Sequence, residues 1–155
     1  MRPRPARGED GQVGGIEALF FGLLVLVLGT LVVANAWGVI DAKVAAAGAA
    51  RAATRAFVQA PAGSDPAAVA RTAAVRAIQG QGRDAARMTL LVSGDLTRCS
   101  RVLAEVRYRV PLIVVPMLGN LGSGFTAAAR HSELVDPYRT GLPRTGTTTC
   151  DATAR

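Results

Sequence analysis

The side chains that could do chemistry are few and scattered in this 155-residue chain. His131 is the single histidine, and no Gly-x-Ser-x-Gly turn accompanies it to present an activated serine. Residues 119–124, GNLGSG, lack the following helix and the downstream acid of a dinucleotide site. The sequence contains neither a Walker motif nor a cluster of metal ligands. It therefore predicts no enzyme, no cofactor and no metal site, and His131 is interpreted as a surface residue of a strand.

Cys99 and Cys150 are the two cysteines, and neither belongs to a Cys-x-x-Cys pair. Zinc and thioredoxin-type sites are therefore disfavoured. A disulfide between them suits a domain in an oxidising compartment and would close a loop of about 50 residues, worth roughly 4 kcal/mol if chain entropy sets its effect. The alternative is two unpaired thiols in a cytosolic domain. We predict the disulfide, which places this part of the chain outside the cytoplasm.

Glycine and alanine recur every seven residues near the N-terminus, at Gly15, Gly22, Gly29 and Ala36. On a helix they form a nearly straight stripe that drifts by about 20° per heptad. Small residues let another helix approach closely in lipid, so we predict a helix–helix contact there. The alternative is the ordinary tolerance of membrane helices for glycine. Glu17 lies at the start of this segment, where an acid is favourable at a helix N-terminus.

The element that must carry this stripe is the uncharged run of residues 18–40, ALFFGLLVLVLGTLVVANAWGVI. At about 1.5 Å per residue, these 23 residues reach roughly 34 Å, enough to cross a bilayer core. A cleaved signal peptide is the alternative, although the run exceeds the about 7–15 apolar residues typical of a signal core. Trp37 lies near the outer end, where membrane-interface aromatics are expected. The sequence predicts a single-pass membrane helix in contact with lipid.

Charge gives a weaker indication of topology. Three arginines precede the apolar run, and three basic residues follow it within about 20 residues, so the positive-inside rule barely decides. Among the latter, only Lys43 lies close to the run, which favours a cytoplasmic N-terminus.

The formal net charge is +7, but the arginines are scattered rather than clustered with aromatics. This pattern disfavours nucleic-acid binding.

Four regions follow from these patterns. Residues 1–15 form a polar cytoplasmic tail, and residues 16–40 form the transmembrane helix. Residues 41–60 are rich in alanine and contain no proline, so the helix is expected to continue as a stalk. Residues 61–155 are expected to form a small extracytoplasmic domain.

That domain is predicted to be α+β. The turn PAGSDP leads to a second helix over about residues 66–79, with a capping Ser or Asp and Pro66 at its first position. Strands are expected at residues 88–92, 101–110 and 125–135. In the second of these, alternate residues form one apolar face: Val102, Ala104, Val106, Tyr108 and Val110. The fold expected is a long N-terminal helix, a short second helix and an antiparallel sheet of about three strands.

Two parts of the sequence resemble the TadE-like family of pilin-related proteins, which belong to tight-adherence (Flp-type) pilus systems. The first is GIEALF at residues 15–20, which is similar to the family's Gly-x-Glu start of a long apolar helix. The second comprises VRYRVP at residues 106–111, PMLG at 116–119 and AAARHSE at 127–133. These segments look like the family's strand, apolar connection and final strand, here of an actinobacterial type.

The resemblance implies a pilin-like fold and a minor-pilin or assembly role, with the N-terminus in the cytoplasm and the domain outside. It gives Glu17 the role of the pilin acid that positions subunits. It also implies partners among other pilus or secretion-system membrane proteins or pilins, in homo- or hetero-oligomers. Two departures are that Gln12 stands where a prepilin-peptidase substrate has glycine, and that Ala18 replaces phenylalanine after Glu17. Cleavage by a prepilin peptidase is therefore left open.

Two other functions are compatible with the sequence. A binding domain anchored at the cell envelope and unrelated to pili would have the same topology. A DNA-contacting module is a weaker alternative, suggested by the net charge of +7.

Overall fold

The computed structural model describes residues 14–110, 124–142 and 150. Its elements in chain order are helix α1 (Gly14–Val58), helix α2 (Pro66–Gln79), a single 3-10 turn (Ala85–Arg87), and strands β1 (Met88–Ser93), β2 (Arg101–Val110) and β3 (Phe125–Leu134). The strands form an antiparallel sheet in the order β1-β2-β3. The predicted α+β fold class is confirmed. The apolar run that follows β2 and the GNLGSG segment fall mostly outside the described residues.

The chain divides into two compact units, Met1–Trp37 and Gly38–Arg155, which we call the N-terminal unit and the C-terminal unit. Helix α1 contributes to both. It lacks proline throughout its length, and its second half is dominated by alanine, the residue with the highest helix propensity. Residues 41–58, which the sequence placed in a stalk, lie in the C-terminal unit and supply part of its core.

Alanines form the buried side of α1 in the C-terminal unit. They recur at helical spacing and are at most 1% exposed: Ala42, Ala45, Ala46, Ala49, Ala50 and Ala53. They belong to the same hydrophobic cluster as the inner residues of β2 and the buried residues of α2. Thr54 is also buried, and its hydroxyl donates to the Ala50 carbonyl at 3.2 Å. Arg51 and Arg55 lie on the opposite, exposed side of this part of α1.

Replacing Ala49 by Leu is expected to lower the free energy of unfolding by about 1–3 kcal/mol, because a filled core accepts added methylenes only by shifting its neighbours. The control is Ala68→Leu, which adds the same atoms at an exposed position of α2 and should change stability by about 0.5 kcal/mol or less. Denaturant unfolding of the two variants in detergent measures the difference. Equal midpoints would contradict tight packing along this side of α1.

Strand β2 is the centre of the sheet, and its alternation decides which face is buried. Its predicted inner residues are at most 7% exposed, from Val102 to Val110. The register places Met88 opposite Tyr108 and Val110 opposite Phe125. Since side chains alternate between faces, the inner residues of β1, and Ala127 and Ala129 of β3, continue the same apolar surface. Further along β3 the inner face carries His131 and Glu133, which are half-buried. The predicted half-buried strand over residues 101–110 is confirmed.

The local signals at the start of α2 also work as predicted. The Asp65 side chain accepts a hydrogen bond from the Ala67 N–H at 2.9 Å, and Pro66 occupies the first turn. Ile78 is fully buried.

In the loop between β1 and β2, Gly94 has φ +116°, and a Cβ there would lie 2.6 Å from the Arg101 carbonyl oxygen. That turn therefore requires glycine.

Candidate functional site

Within the described residues, α1 is the one helix long and apolar enough to cross a membrane. None of its most apolar stretch is buried among the described residues. The large apolar side chains that it leaves exposed include Leu19, Phe20, Phe21, Leu23, Leu24, Leu26, Leu28, Val32, Val33, Trp37 and Ile40. A core helix of a soluble protein has the same length and composition but is mostly buried. The exposed apolar surface here is of the kind that suits an apolar environment.

Polar groups within this stretch have partners inside the helix. The Thr30 hydroxyl donates to the Leu26 carbonyl at 2.8 Å, and the Asn35 amide donates to the Leu31 carbonyl at 2.8 Å. Such pairing to the preceding turn lowers the cost of placing a polar side chain in lipid. Glu17 is exposed in the first turn of α1, where the helix has free N–H groups.

The small-residue stripe is open along its described length. A Cβ added at Gly15, Gly22 or Gly29 would meet no atom within 4 Å, and Ala36 is exposed. Packing inside the described part of the chain therefore does not account for small residues at these positions. The predicted helix–helix contact stays a prediction, and the stripe is available for it.

Cys99 and Cys150 form the predicted disulfide, with their Cα atoms 5.1 Å apart across a sequence separation of 51. The Cys99 N–H donates to the Val135 carbonyl at 3.0 Å, just beyond the end of β3. Cys150 is thus tied to the end of the sheet at which β2 begins. The prediction of a disulfide is confirmed.

Arg83 forms a cluster that the sequence did not indicate. Its guanidinium pairs with the Asp41 carboxylate on α1, and its Cζ lies 5.3 Å from the centre of the Tyr108 ring. The three residues line one cleft together with Gly38, Arg87 and other residues. Asp41 and Arg83 are 42 positions apart, so no local pattern could have paired them.

The outer face of the sheet carries a second cluster, centred on Glu105. Its carboxylate accepts from Arg107 Nε at 2.6 Å and from Arg130 Nε on β3 at 2.8 Å. The hydrogen bond from Arg107, and next that from Arg130, holds the pKa of Glu105 below its ordinary value of 4.5. Arg101 and Arg109 are exposed on the same face, so this face is basic overall.

Glu105 is expected to make stability depend on pH in the acid range. The pKa of Glu105 is lowered in the folded state. Its contribution to stability is therefore complete above pH 4.5 and is lost as the pH falls through the folded-state pKa. Glu105→Gln should therefore be less stable than the parent at neutral pH, and the difference should shrink on acidification. Denaturant midpoints over a pH series measure this, with Glu133→Gln as the control for removing a carboxyl from the sheet. A difference that stays constant down to strongly acid pH would contradict the assignment.

His131 lies half-buried on β3 opposite Ala104, and the residues that the structure describes include no group of three His, Cys, Asp or Glu placed to hold a metal. Comparison with protein-family models, curated proteins and solved structures finds no match to this chain.

Proposed function

We propose that this chain is a membrane-anchored, pilin-like protein of a tight-adherence-type pilus or secretion system, acting as a minor pilin or assembly protein. The observation that supports the proposal most is the dual composition of α1. One continuous helix provides an exposed apolar stretch and then an alanine side buried in the same core as an antiparallel sheet. This is the architecture that the resemblance to TadE-like proteins implies.

The proposed topology has the N-terminus in the cytoplasm and the C-terminal unit outside. The Cys99–Cys150 disulfide supports it, because disulfides persist mainly in oxidising compartments. Lys43, the nearest basic residue beyond the apolar run, is a single charge, which permits the downstream part of the chain to cross. A reporter enzyme fused after residue 155 should be active only if it is one that works outside the cytoplasm.

The proposed working surface is the apolar half of α1. The open stripe of Gly15, Gly22, Gly29 and Ala36 allows close approach of another membrane helix. Glu17, one helical turn from the start of α1, is suited to contact a positive group of a neighbouring subunit, such as a free amino terminus. Its partners would be other pilins or membrane proteins of the same system, in a homo- or hetero-oligomer.

A clean deletion in the source organism tests the proposal. It should abolish or strongly reduce pili, and a plasmid copy should restore them. The tagged protein should also co-purify with other pilus components from detergent extracts. Normal piliation in the deletion strain would contradict the proposal. Neighbouring genes for a secretion ATPase and a TadC-like membrane protein would support it further.

The second candidate is a binding domain anchored at the envelope and unrelated to pili. The basic outer face of the sheet favours it. In the described strands this face carries the Glu105 carboxylate and four arginines, Arg101, Arg107, Arg109 and Arg130, of which the second and fourth pair with it. It predicts the same topology and a deletion strain with normal pili. Salt-sensitive binding of DNA by the full chain would instead favour the DNA-contacting alternative.

A further inference from the structure

We propose that one end of the β-sheet rests on phospholipid head groups and contacts them through Arg87, Arg109 and Phe125. The inference depends on the membrane anchoring proposed above, but it does not depend on a role in pili. It assigns a lipid-binding surface to the folded C-terminal unit, with an anionic phospholipid surface as its partner.

Asp41 is the first charged residue after the uncharged run of residues 18–40. A helix of this length covers roughly 34 Å, slightly more than the hydrocarbon thickness of about 30 Å. A charged residue at this point belongs at the level of the head groups. Chain continuity then places whatever surrounds Asp41 close to that level.

The surroundings of Asp41 identify which end of the sheet this is. Asp41 pairs with Arg83, which lies over the Tyr108 ring. The cleft that contains these residues is also lined by Arg87 and Val110. We call the end of the sheet at Arg87 and Val110 the proximal end.

The strand register extends this end across the whole sheet. Met88, the residue after Arg87, lies opposite Tyr108, and Val110 lies opposite Phe125. The start of β1, the end of β2 and the start of β3 therefore meet there. Leu134 lies opposite Arg101 at the other end of the sheet, which also holds the disulfide.

The exposed side chains at the proximal end match the chemistry of a membrane interface. Arg87 and Arg109 are exposed, and Phe125 is 55% exposed although it shares a face with buried residues. Arginine can lay its methylene stem on an apolar surface while its guanidinium pairs with phosphate. An exposed aromatic ring at the same end of the sheet gains from partial burial at the head-group boundary, and anionic lipids attract basic residues held near their surface.

Tryptophan fluorescence of the full-length chain in lipid nanodiscs tests the inference. Trp37 is the single tryptophan, so Trp37→Phe gives a silent background. In that background, Phe125→Trp places the probe at the proximal end. Leu134→Trp is the matched control, because it is similarly exposed on the same strand but nine residues away, about 30 Å along β3. The quenchers are phospholipids brominated on the acyl chain near the head group.

The F125W indole should be quenched and the L134W indole should not. Quenching of F125W should be stronger in nanodiscs that contain phosphatidylglycerol than in pure phosphatidylcholine. Adding Arg87→Glu and Arg109→Glu should remove that lipid preference, whereas Arg101→Glu, at the other end of β2, should leave it unchanged. Near-ultraviolet circular dichroism checks that the charge-reversed chain is folded.

Three outcomes would overturn the inference. If F125W is unquenched in both lipids, the proximal end does not touch the membrane. If L134W is quenched as much as F125W, the sheet does not meet the membrane end-on. A chain that fails to enter nanodiscs would overturn the anchoring and this inference together, whereas an incorporated chain with an unquenched F125W would overturn this inference alone. None of these results depends on whether the deletion strain makes pili.

Discussion

Replacing both Cys99 and Cys150 by serine is expected to lower the free energy of unfolding by about 4 kcal/mol, because the 51-residue separation gives the reduced, unfolded chain much more freedom than the cross-linked one. Domains are commonly stable by only about 5–15 kcal/mol, so this is a large fraction of the total. For the C-terminal unit, the melting temperature should fall on the order of 15 °C. Denaturant unfolding in detergent, with and without reductant, measures the effect.

The double variant is preferable to either single one, because a single replacement leaves a free thiol that can form mixed disulfides. Reduction of the parent should reproduce the loss of stability, and the double variant should not respond to reductant. The parent protein should contain no free thiol when it is isolated from the cells that produce it. Two titratable thiols in freshly isolated protein, with no change on reduction, would contradict both the disulfide and the proposed extracytoplasmic location.

The elements that were predicted best have strong local signals. Helix α2 was predicted at about residues 66–79 because a capping Ser64 or Asp65 and then Pro66 mark its start, and the structure has the same bounds, with Asp65 as the cap. Strand β2 was predicted at residues 101–110 from strict alternation, and its bounds also agree. Strand β1 extends one residue further than predicted, and β3 ends one residue earlier. Strand ends depend on pairing with neighbours, which a local pattern does not contain.

The burial of α1 in the C-terminal unit was harder to predict. Alanine is compatible with a solvated stalk and with a closely packed core, since it buries little area and favours a helix in either case. Only the position of β2 distinguishes the solvated stalk from the packed core. It places Val102 and Val106 in the same hydrophobic cluster as Ala46 and Ala49. The sequence predicted a continuous helix but could not show which of its sides would be covered.

Contacts between distant charged groups had no local signal at all. The Asp41 carboxylate pairs with Arg83, which is 42 positions away. The Glu105 carboxylate pairs with Arg130, which is 25 positions away. Such pairs follow from the register of the sheet and the packing of α1, which must be known first. The disulfide was predictable because only two cysteines exist and one pairing was possible. The disulfide could therefore be predicted from the sequence, because it depends only on which cysteines the chain contains. The two ion pairs could not, because they depend on how distant parts of the chain are placed in the fold.

Replacing Gly22 and Gly29 together by leucine is expected to reduce recovery of membrane partners at least about ten-fold, which corresponds to about 1.4 kcal/mol of binding free energy. Both positions are open in the described structure, so the added side chains should not disturb the fold of this chain. They would instead hold a neighbouring helix away from the stripe and remove the close packing that drives association in lipid. Leucine keeps the segment apolar, so membrane insertion should be unaffected.

The matched control is Ala34→Leu. Ala34 is exposed on the same helix, and at about 100° per residue it lies well away from the stripe. Quantitative co-purification of tagged variants from detergent extracts, alongside pilus counts in the complemented deletion strain, gives the readout. Loss of partners with both the double variant and Ala34→Leu would mean that added bulk anywhere on α1 is disruptive. Retention of partners by the double variant would show that the seven-residue spacing reflects ordinary glycine tolerance, because a stripe that binds a helix cannot accept two leucines without losing contact.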